Sequence, residues 1–343
     1  MLKASTIRKY AFHRFSLAIQ ILAVILLLHQ GCQREEGALL PPYTGRPGEL
    51  LAVISNELFM GSSGEQLKEI FKRPMEGLPQ PEPEFSLNTL PPESFKSTIR
   101  NTLNILVVQL DTAQKPGIYF KKSVWAKDQV VASVVGRNDK ETAALLADHA
   151  NELRYFFQKN DRERLVNSLD LNGKLIRWLK SEHGIFMKVP FDYYLAVDTP
   201  GFIWMRRETR ETSSGLVIMT RPYADTSDFS VESTRAALNK MLQKYIPGPA
   251  EGSYMKLVED YPIEGVRIHA DSLYSTELRG LWELENDYMG GPFVCQTRLY
   301  PDGDRLVTVM GFVYAPKFKK RDYIINLESI LQSFSFQESA GEE

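Results

Sequence analysis

The chain has 343 residues, room for two domains of ordinary size. Its 43% apolar and 24% charged residues are those of a globular protein. The formal charge of −2 becomes −6 once residues 1–31, with four basic groups, are set aside, which leaves no electrostatic case for binding nucleic acid or an anionic membrane surface.

At the start, Lys3, Arg8, Lys9 and Arg14 precede an apolar run from Phe15 to Leu28, broken by Ser16 and Gln20, and then Gly31-Cys32. A transmembrane helix needs roughly 20 apolar residues, and this run is shorter. The order resembles a bacterial lipoprotein signal, with His29 where such signals usually carry Leu. The resemblance implies cleavage before Cys32 and acylation of Cys32. The membrane is then a partner through an N-terminal lipid anchor. It also implies an outer membrane lipoprotein of the bacterial cell envelope, periplasmic or surface-exposed. Gln33-Arg34-Glu35-Glu36 resembles the acidic stretch that sends some Bacteroidetes lipoproteins to the outer face, and a solvated tether accounts for it equally well. Residues 1–31 are thus read as signal and 32–48 as a tether carrying Pro41-Pro42, Gly45, Pro47 and Gly48.

Residues 49–182 read as an N-terminal α/β domain. Leu50 to Ile54, Leu103 to Leu110 and Gln129 to Val135 are apolar, β-branched strands. Gly61-Ser62-Ser63-Gly64 reads as a plain turn before a helix over Glu65 to Arg73, limited by Pro74. The alternating prolines of Leu78-Pro79-Gln80-Pro81-Glu82-Pro83 favour extended, polyproline-like backbone. Asp139 to Lys180 is helical with a break near Asp170 to Gly173, and His149 falls on its apolar face as a core histidine.

Residues 183–336 read as a second domain able to fold alone, and 337–343 as a disordered tail. Strands are expected over Ile185 to Val189, Phe202 to Met205, Leu216 to Met219, Val266 to His269, Tyr274 to Leu284, Phe293 to Leu299 and Leu306 to Val313. Ser230 caps a helix with Leu238 and Leu242 inward, and a last helix carries Ile324, Leu327 and Leu331. The fold class is α+β, two domains, each an antiparallel or mixed sheet packed with helices. With Val189-Pro190 opening it and Ser333-Phe334 closing it, the second domain resembles the PsbP/Mog1-like fold. Over the whole chain, Leu78–Pro83, Trp125-Ala126-Lys127-Asp128-Gln129, Arg279-Gly280-Leu281-Trp282, Met289-Gly290-Gly291-Pro292-Phe293 and Tyr314-Ala315-Pro316 resemble the landmarks of a Bacteroidetes lipoprotein family known only as a domain of unknown function. That resemblance implies export and a two-part layout, and no activity.

Motifs for chemistry are sparse. His149, His183 and His269 lack metal-ligand spacing, so no metal or cofactor is expected. No G-x-S-x-G is present, and Cys295 sits inside a strand as a buried, inert thiol. Glu283, Glu285 and Asp287 alternate, so on a strand they share a face, as a solvated row or a hydrolytic carboxylate cluster. The densest segment runs from Arg279 to Phe293. Arg279, Trp282, Glu283, Glu285, Gly290 and Gly291 are the candidate partner or ligand surface, with Arg279 at its rim, and Gly290-Gly291 as a strand connection needing glycine's backbone angles. Trp282 is also read as core, and Trp125 and Trp204 more so. No catalytic residue is assigned. The expected function is a lipid-anchored cell-envelope component that binds or assembles without catalysis, its partner an envelope protein or glycan; the alternative is an envelope hydrolase of glycan or peptide.

Overall fold

The computed structural model describes residues 40–259, 261, 264–270 and 273–336, with 264–270, 273 and 274 by backbone only. The signal, Cys32 and the tail 337–343 lie outside the described residues.

A five-stranded sheet ordered β2-β1-β3-β5-β4 organises the first half. β1 (Glu49–Ile54), β2 (Ser86–Leu90), β3 (Asn104–Leu110) and β5 (Val130–Gly136) are parallel, and β4 (Gly117–Lys122) closes one edge antiparallel. Both faces of the central strands are covered, which is why β1, β3 and β5 read as continuous apolar runs. Helices α1 (Asn56–Met60), α2 (Ser62–Phe71), α3 (Asp139–Asp148) and α4 (Ala150–Asn167) contribute to the core on one face, where Phe71, Phe85 and Phe157 pack edge to face. On the other, Phe95 and Trp125 pack against Val53, Ile105 and Val131.

Two local readings are corrected here. Gly61-Ser62-Ser63-Gly64 is the first turn of α2 and not a plain turn. The N–H groups of Ser62 and Ser63 donate to the Asp139 carboxylate at 2.8 and 3.0 Å, so this helix start already holds the chain's own anion. Burial acts to raise the Asp139 pKa, and these bonds outweigh it, leaving it below the ordinary value. A Cβ on Gly61 would lie 2.5 Å from Asp139 Oδ2. His149 is not a core residue. It ends α3 and starts α4, with its ring 42% exposed and 2.8 Å from Glu152. The chain changes direction there, so the helical spacing that placed His149 inward does not continue through it.

The second half holds an eight-stranded antiparallel sheet ordered β10-β12-β13-β14-β9-β8-β7. Its strands are β7 (Tyr194–Thr199), β8 (Phe202–Glu208), β9 (Ser213–Pro222), β10 (Tyr254–Leu257), β11 (Glu264–Ala270), β12 (Leu273–Glu285), β13 (Gly290–Leu299) and β14 (Arg305–Tyr314). β11 pairs with the first part of β12 and β10 with its end. Two short strands, β6 (Ile185–Phe186) and β15 (Ser335–Phe336), pair separately. Helices α5 (Gly173–His183) and α7 (Arg321–Gln332) pack on one face, and α6 (Val231–Tyr245) on the other. The Ser230 hydroxyl caps α6 by accepting from Ser233 N. The architecture is α+β, with helices packed on each main sheet.

Both halves share a seam. Leu175 and Leu179 of α5, together with Met75 and Leu78 from before β2, are buried in the core beneath α7. The Glu82 carboxylate accepts from Lys320 N at 2.6 Å and Arg321 N at 3.2 Å, at the start of α7. Beside this strap, Glu328 of α7 is ion-paired to Arg162 of α4 at 2.6 Å and to Arg279 of β12.

Candidate functional site

Residues alternate across a strand, and on β12 this divides the segment singled out in the sequence. Arg279, Glu283 and Glu285 project to one face, Trp282 and Leu284 to the other. Arg279 is therefore not at a rim. Its side chain, 16% exposed, lies beside α7, paired with Glu328 and, at 2.7 Å, with Glu277. Glu283 and Glu285 do share a face and flank the Lys256 ammonium at 3.4 and 2.5 Å. Asp287 leaves the row, because β12 ends at Glu285 and Asn286 turns the chain at φ 60. The Asp287 carboxylate instead accepts from Met289 N at 3.0 Å. A three-carboxylate cluster on one strand face is thus not formed.

The glycines also act differently from expectation. Gly290 and Gly291 open β13, paired with Glu283 and Trp282, and neither has a positive φ. What requires Gly291 is close approach. A Cβ there would lie 2.1 Å from Val313 O and 3.3 Å from Trp282 Nε1, crowding the carbonyl that accepts from the indole N–H at 3.3 Å. Gly291 thus allows Trp282 to dock onto β14. Trp282 is 4% exposed and packs edge to face on Phe312, as its core reading expects.

Trp282 also lines a cavity of about 360 Å³. The cavity forms where α6 ends: Ile246, Pro247 and Pro249 border it, and the sheet continues as Trp204, Trp282, Phe312 and Tyr314. Met255, Leu284 and Met289 complete the apolar wall. Arg206 and Glu208, ion-paired to each other, also line it, and the Arg206 guanidinium lies 5.1 Å from the centre of the Trp204 ring. Tyr194, across from Arg206, donates its hydroxyl to Glu208 at 3.2 Å. Of the six candidate surface residues, only Trp282 reaches this cavity. Trp204 was read as core alone and Arg206 was missed; the signal was their i, i+2 spacing on a strand, which places an aromatic and a guanidinium on one face.

A second cavity, about 490 Å³, lies at the seam between the loop after α4 and α7. Ser168, Asp170, Phe191, Tyr193, Arg207, Tyr323 and Asn326 are among its lining. Burial raises the Tyr193 phenol above its ordinary pKa, and Asp192 is ion-paired to Arg207. Cys295 is buried in β13, where burial and then the charge of Glu277 push its thiol up to about 12. Among the described residues no group of three or more His, Cys, Asp or Glu is placed to hold a metal ion. Among them, too, no helix is long and apolar enough to cross a membrane.

Two family models match the chain in succession, one over residues 44–170 and one over 174–333, each described as a domain of unknown function. No curated protein matches. Among solved structures, the Ran-binding protein Mog1p of Saccharomyces cerevisiae is 9% identical with a TM-score of 0.32, covering 45% of this chain and 90% of its own. LpqN of Mycobacterium tuberculosis, described as involved in cell envelope biogenesis, is 12% identical with a TM-score of 0.28, covering 49% and 98%. A Bacteroides thetaiotaomicron protein is 12% identical with a TM-score of 0.21, covering 47% of each chain. Scores and identities this low say nothing of what the present chain does. The chain carries two domains of unknown function in tandem, DUF8532 followed by DUF4837.

Proposed function

We propose that this protein is a lipid-anchored component of the bacterial cell envelope that binds another envelope molecule, protein or glycan, in the cavity at Trp204 and Trp282. The basic, apolar, Gly31-Cys32 order supports the anchor. One observation carries the binding role: four aromatic rings line a cavity whose charged pair, Arg206 and Glu208, is already mutually neutralised. Such a wall contributes stacking and desolvation, which favour retention of a ligand. The test is native mass spectrometry of the protein extracted from membranes in mild detergent, beside Ser213→Trp, which fills the cavity from the start of β9. A bound mass is expected in the wild type and missing in the variant. The same bound mass in both would remove the cavity from the function.

A further inference from the structure

We infer that the cavity of about 490 Å³ at the seam is a second binding site, one that takes a short neutral saccharide. It stands apart from the Trp204–Trp282 cavity, on the opposite face of the same sheet. Strand alternation makes the separation. On β8 and β9, Arg206 and Ser213 line the Trp204–Trp282 cavity, while their chain neighbours Arg207 and Ser214 line this one.

Hydrogen bonds fix the wall of this cavity. Phe191 N donates to Asp170 O at 2.8 Å, and the Asn172 side chain donates to Tyr193 O at 3.0 Å, so the loop between α4 and α5 is tied to the segment leading into β7. Some of the polar lining is already matched: the Tyr193 hydroxyl is hydrogen-bonded to Ser214, and Asp192 is ion-paired to Arg207. The groups left over are accessible. Asp170 and Asn326 are exposed and Tyr323 is half-buried, and among the described residues no side-chain hydrogen bond or ion pair engages any of the three. Phe191, which also lines the cavity, is 73% exposed.

The free groups are mixed in kind: a carboxylate that accepts, a carboxamide that donates and accepts, and a phenol that does both. A sugar hydroxyl also donates and accepts, so each of them finds a match on a saccharide. The C–H face of a sugar ring carries partial positive charge and suits the negative face of an aromatic ring, which gives the exposed Phe191 side chain a cover. Other ligand classes fit less well. An apolar molecule would strip water from Asp170 and Asn326 and leave them unpaired. An anion meets the wrong charge: among the described residues, Asp170 is the one charged group of the lining without an ion-pair partner. A simple cation would pair with Asp170 and leave Asn326 and Tyr323 unused.

The experiment is saturation-transfer difference NMR on the full-length protein, in a detergent without a sugar headgroup. The probes are cellobiose, maltose, lactose and N,N′-diacetylchitobiose at millimolar concentration, with digalacturonate and acetyl-tetraalanine amide as controls. At least one of the neutral disaccharides should bind roughly tenfold more tightly than either control, with transfer strongest to its ring C–H protons. Phe191→Ala, at an exposed position, should weaken it roughly three- to tenfold, the worth of one aromatic contact. Asp170→Asn leaves the backbone bond to Phe191 in place and should weaken it by a similar factor, roughly three- to tenfold, because a charged acceptor becomes a neutral one. Ser213→Trp, in the other cavity, should leave affinity within about twofold of wild type. No binding by any of these disaccharides, affinity equalled by either control, or affinity unchanged in both Phe191→Ala and Asp170→Asn overturns the inference. Loss in Ser213→Trp, with those two variants binding as wild type does, places the sugar in the Trp204–Trp282 cavity and overturns it as well.

Discussion

Replacing Arg162 by Met tests the seam directly. Glu328 is 1% exposed and makes ion pairs with Arg162 and Arg279, so the substitution leaves a buried carboxylate with one cation instead of two. Removing one partner of a buried pair costs about 3–5 kcal/mol, and because Arg279 stays in place the lower end applies, about 3 kcal/mol. At 2–4 °C per kcal/mol for a domain of this order of size, Tm should fall by about 10 °C. Urea unfolding followed by tryptophan fluorescence, with Glu328→Gln and the double variant, completes a cycle whose coupling should be on the order of 2 kcal/mol. The pH dependence has a defined sign. Burial acts to raise the Glu328 pKa, but Arg162 and Arg279 outweigh it and hold the carboxyl below 4.5. A depressed carboxylate contributes stability above its unfolded pKa and loses it as pH falls through the folded one. Acid should therefore narrow the gap between wild type and Arg162→Met below about pH 4.5. A loss under about 1 kcal/mol with zero coupling would show that the buried network does not hold the halves together.

Cys32→Ala should abolish metabolic labelling with fatty acid and leave an unprocessed precursor; unchanged mass and membrane partition would sink the anchor. Trp282→Ala should cost roughly 3–5 kcal/mol in urea unfolding as a buried aromatic truncation, and a cost near zero would mean the ring is not packed. The Cys295 thiol, pushed up to about 12 by burial, should resist a thiol reagent at pH 8 until the protein unfolds. Because its folded pKa is raised, its contribution to stability should fall as pH rises past the unfolded value near 8.5, and Cys295→Ala should flatten that alkaline decline. Fragment 174–336 should be more stable than 183–336 by several kcal/mol, since the shorter one lacks buried Leu175 and Leu179; equal melts would mean α5 adds nothing to that core.

The long apolar runs were legible because burial on both faces leaves no ambiguity of period: β1, β3, β5, β13 and β14 lie where their Val, Ile and Leu content placed them. The elements not read, β2, β4, β7, β10, β15 and α1, are short or half-exposed pieces that carry little periodic apolar signal of their own. β7 shows this, with Tyr194 and Leu195 exposed and a register shift between Leu195 and Val197. The candidate site was half legible for a related reason. Alternation correctly put Glu283 and Glu285 on one face, but it also put Arg279 there and Trp282 on the other, so one segment could not be one surface. Which face would hold a cavity depended on where the end of α6, at Ile246 before Pro247, comes to lie over the sheet.

Segments that looked like separate landmarks in the sequence meet at the seam. A Cβ on Gly77 would lie 2.8 Å from Arg279 Cβ, so the strap passes directly over β12. Leu78 O accepts from the Tyr261 hydroxyl at 3.0 Å, and Glu82 holds the start of α7. The strap, Arg279 and α7 thus fix one face of β12, while Trp282, three residues along the same strand, lines the cavity on the opposite face. A disturbance at the seam has a short physical route to the cavity through this strand. The two sites remain separable nonetheless, because Trp282 is also anchored to Val313 on β14, which lies two strands away from β12 in the sheet. Arg162→Met should accordingly lower the melt while ligand affinity below the melt stays within about twofold of wild type, since sites without shared partners act nearly independently. A proportionate loss of affinity would instead place the seam and the cavity in one cooperative unit, with β12 as the element both of them bias.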